Sequence, residues 1–233
     1  MNAFDKDILL FLNGFVGRWP HLDVALVQFQ QNNLLNGAPF LAAIWYLWFY
    51  PGPDDNLRMR RKLWTTLCAT VAGIVAARLL AHILPFRLRP FVNPELHLLI
   101  PDKIPPTGLA TWSAFPSDHG LVWFALATGI WWAHRTLGAV ALLYASFLGI
   151  GRVYWGAHNP TDILAGGAIG IGLVALLSLE SLQTALYRPA MRLQQTNLGF
   201  FYLCAFVATY EMANMFTEVR TLAQLAGNML RLL

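Results

Sequence analysis

LGAVALLYASFLGIGRV (residues 137–153) and ILAGGAIGIGLVALLSLESL (residues 163–182) are two apolar stretches separated by the short connector YWGAHNPTD. A helix that crosses a bilayer needs roughly 20 mostly apolar residues, within a range of about 17 to 25. Both stretches have that length, so the pair predicts two neighbouring membrane-spanning helices. In the second stretch, Gly166 and Gly170 form a small-xxx-small pair, which lets two helices approach closely.

Further apolar stretches extend this pattern along the chain. They are Leu34–Tyr50, Leu63–Leu84, Gly120–Ala133 (with a start near Ser117) and Leu198–Phe216. Phe4–Gln31 has apolar residues near helical spacing, which predicts one or two interfacial helices, and Leu182–Asn197 is typical of an amphipathic connector. We therefore expect an all-α, polytopic membrane helical bundle. It should have about six transmembrane helices with N-terminal interfacial helices, and form a single membrane domain over residues 1–233.

The composition supports a bilayer as the solvent of this protein. Hydrophobic residues make up 57% of the chain and charged residues 12%, whereas a soluble domain carries about 25% charged residues. The net charge of +4 suits a membrane protein that contacts anionic lipid headgroups. We expect no nucleic-acid partner, because the basic residues lie between apolar spans and not on a recognisable nucleic-acid-binding fold.

A tight basic cluster, Arg58–Lys62, directly precedes the span Leu63–Leu84. Lys and Arg in short loops at span boundaries mark the cytoplasmic side of a membrane protein. We therefore expect this cluster in the cytoplasm and the opposite ends of the same spans outside it.

Polar residues collect at those opposite ends. The set consists of His82, Arg87, Arg89, Ser117, His119, Arg152, His158 and Asp162. If successive spans alternate in direction, all of these residues lie at one face of the membrane. Each short motif alone is compatible with a structural role, but their occurrence together on one face predicts a site.

The residue types in this set suit phosphoryl transfer. Arg89 and Arg152, with Arg87 as a further candidate, present guanidinium forks that match phosphate oxygens. Ser117 and His119 lie where a helix should begin, and free backbone N–H groups at a helix start attract anions.

His158 and Asp162 lie four residues apart, which places them on the same face of a helical turn. A carboxylate that accepts a hydrogen bond from one ring nitrogen would leave the other nitrogen nucleophilic. Between them, Asn159 is a good N-cap and Pro160 a good first helical residue. His158 should therefore stand just outside the helix, held but accessible.

These motifs resemble the three-part signature of the type 2 phosphatidic acid phosphatase family, which includes vanadium haloperoxidases. That signature reads Lys-x6-Arg-Pro, Pro-Ser-Gly-His and Ser-Arg-x5-His-x3-Asp. The matching segments here are 82–90, 116–119 and 151–162, within a catalytic core of about 62–182. The chain departs from the signature at His82, Asp118 and Gly151, which replace lysine, glycine and serine. The bacitracin-resistance branch of the family is the most similar.

The resemblance implies a role for each matching residue. His158 would attack phosphorus, Asp162 would orient it, and His119 would protonate the leaving oxygen and then activate water. The phosphate oxygens would be held by Arg89, Arg152 and Ser117, with Arg87 and His82 as further substrate-binding candidates. No metal and no other cofactor is implied.

The expected function is that of an integral membrane phosphatase acting on a lipid phosphate or diphosphate. The first expected substrate is undecaprenyl diphosphate, with a site on the outer face of a bacterial inner membrane. A phosphatidylglycerophosphate or phosphatidate phosphatase, and a lipid-to-lipid phosphotransferase, are the alternatives within the same chemistry. A lipid-phosphate-binding protein without catalysis is the alternative outside it.

Overall fold

The structure is a computed structural model that describes residues 1–50, 56–101, 111–219, 221–222 and 225, and this part contains helices and no strands. The helices are α1 (Ala3–Asn13), α2 (Pro20–Gln31), α3 (Asn33–Asn36), α4 (Ala38–Phe49), α5 (Asn56–Ile83), α6 (Asp118–Ala133), α7 (Arg135–Tyr154), α8 (Pro160–Leu177), α9 (Glu180–Thr196) and α10 (Leu198–Ala213). Short 3-10 turns occur at Pro90–Val92 and Pro94–Leu96. The expected all-α fold is confirmed, although parts of the loop 91–114 and of the tail after Thr217 lie outside the described residues.

The apolar helices lie where the sequence predicts spans. Leu57–Ile83, Arg135–Tyr154 and Pro160–Leu177 have the length and composition to cross a membrane, and Ala38–Phe49 and Leu198–Ala213 are shorter apolar helices. The expected span that ends at Leu182 is wrong at its C-terminal end.

The reason is a break after α8 that the composition does not mark. Ser178 closes α8, and Leu179 has extended backbone angles (φ −58°, ψ 135°) before α9 begins at Glu180. Apolar residues continue across this break, so a hydropathy pattern alone runs on into the amphipathic helix. The connector predicted at Leu182–Asn197 is that helix, α9.

The close packing of α6 against α8 positions the site. A Cβ atom on Gly166 would lie 2.1 Å from the backbone oxygen of Ser117, and one on Gly170 would lie 2.4 Å from that of Leu121. The small-xxx-small interpretation is thus confirmed. The same contact brings the starts of both helices together, and the Ser117 backbone N–H donates to the Asp162 carbonyl at 3.0 Å.

The basic cluster Arg58–Lys62 binds carbonyl groups at one end of the bundle. Lys62 donates to the Trp132 carbonyl near the end of α6 at 2.8 Å, and Arg60 donates to the Trp48 carbonyl near the end of α4 at 3.0 Å. Positive charge at helix C-termini is favourable. Arg78 lies on α5 about 24 Å further along, at a rise of about 1.5 Å per residue. There it pairs with Asp118, which lies between Ser117 and His119. The polar residues predicted to form the site (the polar cluster) therefore lie at the opposite end of the bundle from the basic cluster.

Candidate active site

His158 lies at the centre of the polar cluster, in the turn between α7 and α8, with 2% of its surface exposed. Its Nδ1 atom lies 3.0 Å from the Ala114 carbonyl, which can only accept a hydrogen bond, so Nδ1 carries the hydrogen. The Nε2 atom is then an acceptor. Arg89 Nη1 lies 3.1 Å from it and Ser117 Oγ 3.4 Å from it. The ring nitrogen that carries no hydrogen therefore faces a guanidinium and a hydroxyl group.

Asp162 contacts His158 less directly than the sequence suggests. Its Oδ2 atom lies 3.7 Å from His158 Nδ1, which is too long for a hydrogen bond, whereas it accepts from the Asn159 backbone N–H at 2.7 Å. That bond is one half of a capping box, and it confirms Asn159 and Pro160 as the start of α8. The Ala114 carbonyl, a backbone group that residue identity does not single out, sets the tautomer.

Burial is the largest influence on the charge state of His158. It lowers the pKa of the imidazole from its ordinary 6.5, while Asp162 raises this pKa and Arg89 lowers it. The lowered pKa favours the neutral ring at pH 7. A neutral imidazole with an accepting Nε2 atom is the form that can attack an electrophile.

Arg89 and Arg152 supply buried guanidinium groups, each with 7% of its surface exposed. Arg89 also donates to the Ala157 carbonyl at 3.0 Å, which orients it toward His158. Arg152 donates to the Gln30 carbonyl at 3.3 Å. Its Nε atom is buried without a hydrogen-bond partner among the described residues. Because buried donors are normally paired, this N–H is suited to an anion.

Ser117 and His119 lie at the start of α6, as predicted. Ser117 Oγ accepts from the Gly120 backbone N–H at 3.2 Å and so acts as the N-cap. The His119 ring packs edge-on against Trp123, with centroids 5.3 Å apart. Asp118, His119 and His158 each bring a ligand atom within 4.8 Å of the others. The structure thus brings both histidines into one cluster, within reach of one small group.

Arg87 has different partners from those expected. It lies 2.5 Å from Asp162 through Nη1 and 2.5 Å from Asp5 through Nη2, and it donates to Thr161 Oγ1 at 2.8 Å. The guanidinium of Arg87 is therefore paired with two carboxylates, those of Asp5 and Asp162. This arrangement does not support the predicted phosphate contact. Asp5, on α1, is fully buried and accepts from the Thr161 backbone N–H at 2.8 Å.

Sequence reasoning missed Asp5. It is one of two aspartates in the opening turns of an N-terminal helix, and Asp7, which is exposed, has the same sequence context. No local signal separates the two residues, since the burial of Asp5 depends on the distant Arg87 and Thr161.

The profile of the PAP2 superfamily matches residues 62–182, about half of the chain. The chain belongs to the PAP2 superfamily. Its PAP2 relatives include undecaprenyl-diphosphatase BcrC of Bacillus subtilis (strain 168), which is 27% identical over 150 residues, covering 64% of this chain and 70% of BcrC. Protein YbjG of Escherichia coli (strain K12), provisionally named an undecaprenyl-diphosphatase, is 28% identical over 178 residues, covering 73% of this chain and 79% of YbjG.

A solved PAP2 structure is also similar to this chain. It is the transmembrane PAP2-type phosphatidylglycerolphosphate phosphatase from Bacillus subtilis, with 22% sequence identity and a TM-score of 0.48. The match covers 74% of this chain and 82% of that protein.

Two departures from the PAP2 signature have partners in the structure. A Cβ atom on Gly151 would lie 2.0 Å from Gln30 Nε2, so the amide of Gln30 fills the space of the usual serine side chain and donates to the Leu148 carbonyl at 3.0 Å. Asp118, in place of glycine, pairs with Arg78 of α5.

The third departure, His82, is exposed in the last turn of α5. Among the described residues, no hydrogen bond or ion pair joins it to the cluster. Arg78, one turn earlier, lines the same small cleft as Arg89, Asp118 and His158. The predicted substrate contact of His82 is therefore not supported: Arg78 reaches Asp118 at the start of α6, whereas His82, one turn further along α5, is exposed.

The cluster of Asp118, His119 and His158 contains donor atoms of the kind that bind metals. Its charged neighbours oppose that use, because Arg78 pairs with Asp118 and Arg89 lies 3.1 Å from His158 Nε2. Guanidinium groups at these positions repel a cation and attract an anion. The site therefore fits a phosphate group better than a metal ion.

Proposed function

We propose that this membrane phosphatase cleaves the terminal phosphate from a polyprenyl diphosphate, with undecaprenyl diphosphate as the first candidate, by way of a phosphohistidine on His158. The observation that carries the proposal is the orientation of His158. Its Nε2 atom carries no hydrogen, is buried, and lies close to Arg89 and Ser117. The undecaprenyl-diphosphatase relatives support the choice of substrate.

The first step transfers the phosphoryl group to the protein. His158 Nε2 attacks phosphorus, the bond from phosphorus to the bridging oxygen breaks, and the departing lipid phosphate takes a proton from His119. Arg89, Arg152 and Ser117 stabilise the charge on the phosphoryl oxygens, which is the largest task in such a reaction.

The second step releases phosphate. His119 takes a proton from water, the resulting hydroxide attacks phosphorus, and the bond from nitrogen to phosphorus breaks. Inorganic phosphate leaves and the neutral His158 is restored. The same histidine thus acts as an acid and then as a base.

The test is phosphate release from a panel of lipid mono- and diphosphates by the purified chain. We expect the diphosphate to be the best substrate, and the His158→Ala variant to lose activity while His21→Ala, an exposed histidine elsewhere, retains it. Full activity of His158→Ala would refute the mechanism. A preference for a glycerolipid phosphate, or phosphate appearing on an acceptor lipid, would select one of the alternatives.

We further propose that the site faces the outside of a bacterial cytoplasmic membrane. The basic cluster Arg58–Lys62 lies at the other end of α5 from Arg78, and such clusters mark the cytoplasmic side. Single cysteines at Arg18 and Arg135, both exposed, test this in a background without Cys68 and Cys204. An impermeant maleimide added to intact cells should label Arg18→Cys and leave Arg135→Cys unlabelled; the reverse pattern would overturn the orientation.

A further inference from the structure

The Asp118 carboxylate joins two different elements of the site. Its Oδ1 atom accepts from the His119 backbone N–H at 2.9 Å and lies 3.0 Å from His119 Nδ1. Its Oδ2 atom pairs with Arg78 of α5. The Asp118 side chain is 14% exposed, Arg78 28% and His119 21%, so both contacts are partly shielded from water.

This arrangement determines which nitrogen of His119 faces the substrate. An ionised carboxylate has no hydrogen to donate, so the hydrogen between the two groups belongs to His119 Nδ1. The Nε2 atom is then the one left to exchange a proton with a leaving group or with water. The ring also packs edge-on against Trp123.

The ion pair with Arg78 explains how a carboxylate is tolerated beside a phosphate site. The charges of Arg78 and Asp118 compensate each other, while the guanidinium group of Arg89, which lines the same cleft, keeps the cleft positive. Arg78 is itself placed by Trp112, whose ring centre lies 4.8 Å from the guanidinium carbon.

We propose that Asp118 is a positioning residue for His119, and that Arg78 holds Asp118 in place for this role. The site then contains two imidazoles, each with a fixed Nδ1–H: His158 on the Ala114 carbonyl and His119 on Asp118. The second pair stabilises the imidazolium that forms when His119 takes a proton from water. This inference rests on the proposed function for its kinetic consequence, although not for its geometry.

A purely structural role for Asp118 is the competing explanation. An acidic residue in the first turn interacts favourably with the helix dipole, and Asp118 also neutralises the partly buried guanidinium of Arg78. A change in either of these structural roles would alter the stability of the protein and would slow the hydrolysis of every substrate by the same factor. A positioning role would instead be selective for reactions that need a proton at the leaving oxygen.

The kinetic experiment compares two leaving groups in a single turnover of the full-length protein. The alcohol of a lipid monophosphate needs a proton to depart, whereas the p-nitrophenolate of p-nitrophenyl phosphate does not. We expect Asp118→Asn to slow alcohol release at least about ten-fold more than nitrophenolate release, because general acid catalysis contributes about 10² to 10⁴-fold. An equal loss on both would overturn the proposal.

A double variant separates positioning from charge neutralisation. Asp118→Gly combined with Arg78→Gln removes both charges and restores the glycine usual in the PAP2 signature. If Asp118 only neutralised Arg78, this variant would recover alcohol release to the wild-type rate. We expect it to keep the selective defect.

A spectroscopic measurement tests the geometry without any substrate. With nitrogen-15 labelled histidine and His119→Gln for assignment, the His119 ring of the wild type should be protonated at Nδ1 at about pH 8, where a histidine is neutral. Asp118→Asn should shift the hydrogen toward Nε2, because an amide can donate to Nδ1. An unchanged tautomer would overturn the proposal. A protein that hydrolyses no lipid phosphate yet shows this shift would refute the proposed function alone.

Discussion

Replacing Asp5 tests whether the N-terminal helix supports the site from a distance. In Asp5→Asn, the remaining carbonyl oxygen can still accept from the Thr161 backbone N–H, which donates to Asp5 at 2.8 Å. The charge-assisted contact with Arg87, at 2.5 Å, is lost, and the new amide group presents hydrogens to a guanidinium that can only donate.

The magnitude follows from that lost contact. Hydrogen bonds to charged groups contribute about 1.5–3 kcal/mol, and Arg87 is 26% exposed, so water compensates part of the loss. We expect the free energy of unfolding to fall by about 2 kcal/mol, which for a chain of this size lowers the melting temperature by about 4–8 °C. We also expect a lower kcat. Without the carboxylate of Asp5, Arg87 keeps only one anionic partner, Asp162, and is held less firmly beside it.

The assay is thermal unfolding in detergent, followed by tryptophan fluorescence at a fixed scan rate, together with the initial rate of phosphate release. Asp7→Asn is the matched control, because Asp7 is exposed on the same helix. Adding Arg87→Gln to Asp5→Asn should cost less than the sum of the single changes, since the two residues share one contact. Identical melting temperatures and rates for Asp5→Asn and Asp7→Asn would refute the reasoning.

Three further predictions concern packing, pH and inhibition. Gly166→Ala should destabilise the protein by about 1–3 kcal/mol, because its methyl group would lie 2.1 Å from the Ser117 carbonyl oxygen, whereas Gly172→Ala, with open space around it, should not; equal melting temperatures would contradict this. The rate of phosphoenzyme formation should fall as the pH drops through the pKa of His158, which lies below its ordinary 6.5, because a protonated ring cannot attack, and it should also fall toward alkaline pH, because His119 must carry the proton that the leaving oxygen takes; a rate that does not change between acid and mildly alkaline pH would contradict this. Vanadate should inhibit phosphate release competitively and a strong chelator should leave it unchanged, as measured by initial rates; loss of activity with chelator alone would point to a metal-dependent mechanism.

The helical fold was predictable because a helix that crosses a bilayer must be mostly apolar along its whole length. The starts of α6 and α8 were also predictable, since Ser117, Asn159 and Pro160 are specific signals for the beginning of a helix. The break between α8 and α9 was not, because Leu179 and Leu182 continue the apolar pattern across it.

The residues that carry the PAP2 signature were predictable as a set, but their partners were not. Nothing near Asp118 in the sequence indicates Arg78, which lies 40 positions earlier on another helix. The contact of Ala114 with His158 is made by a backbone carbonyl, which leaves no trace in residue identity. The sequence thus identifies the chemical groups, while the fold decides their hydrogen-bond partners.

The glycine contact between α6 and α8 has a consequence for tolerance to change. At Gly166 and Gly170, α8 lies directly against main-chain atoms of Ser117 and Leu121, so at these two points no side chain acts as a spacer between the helices. On the outer side of α8, Leu164 is 59% exposed and Ile171 is 41% exposed. These positions can exchange one apolar residue for another, to suit bilayers of different thickness or fluidity, without altering the distance between the two imidazole rings.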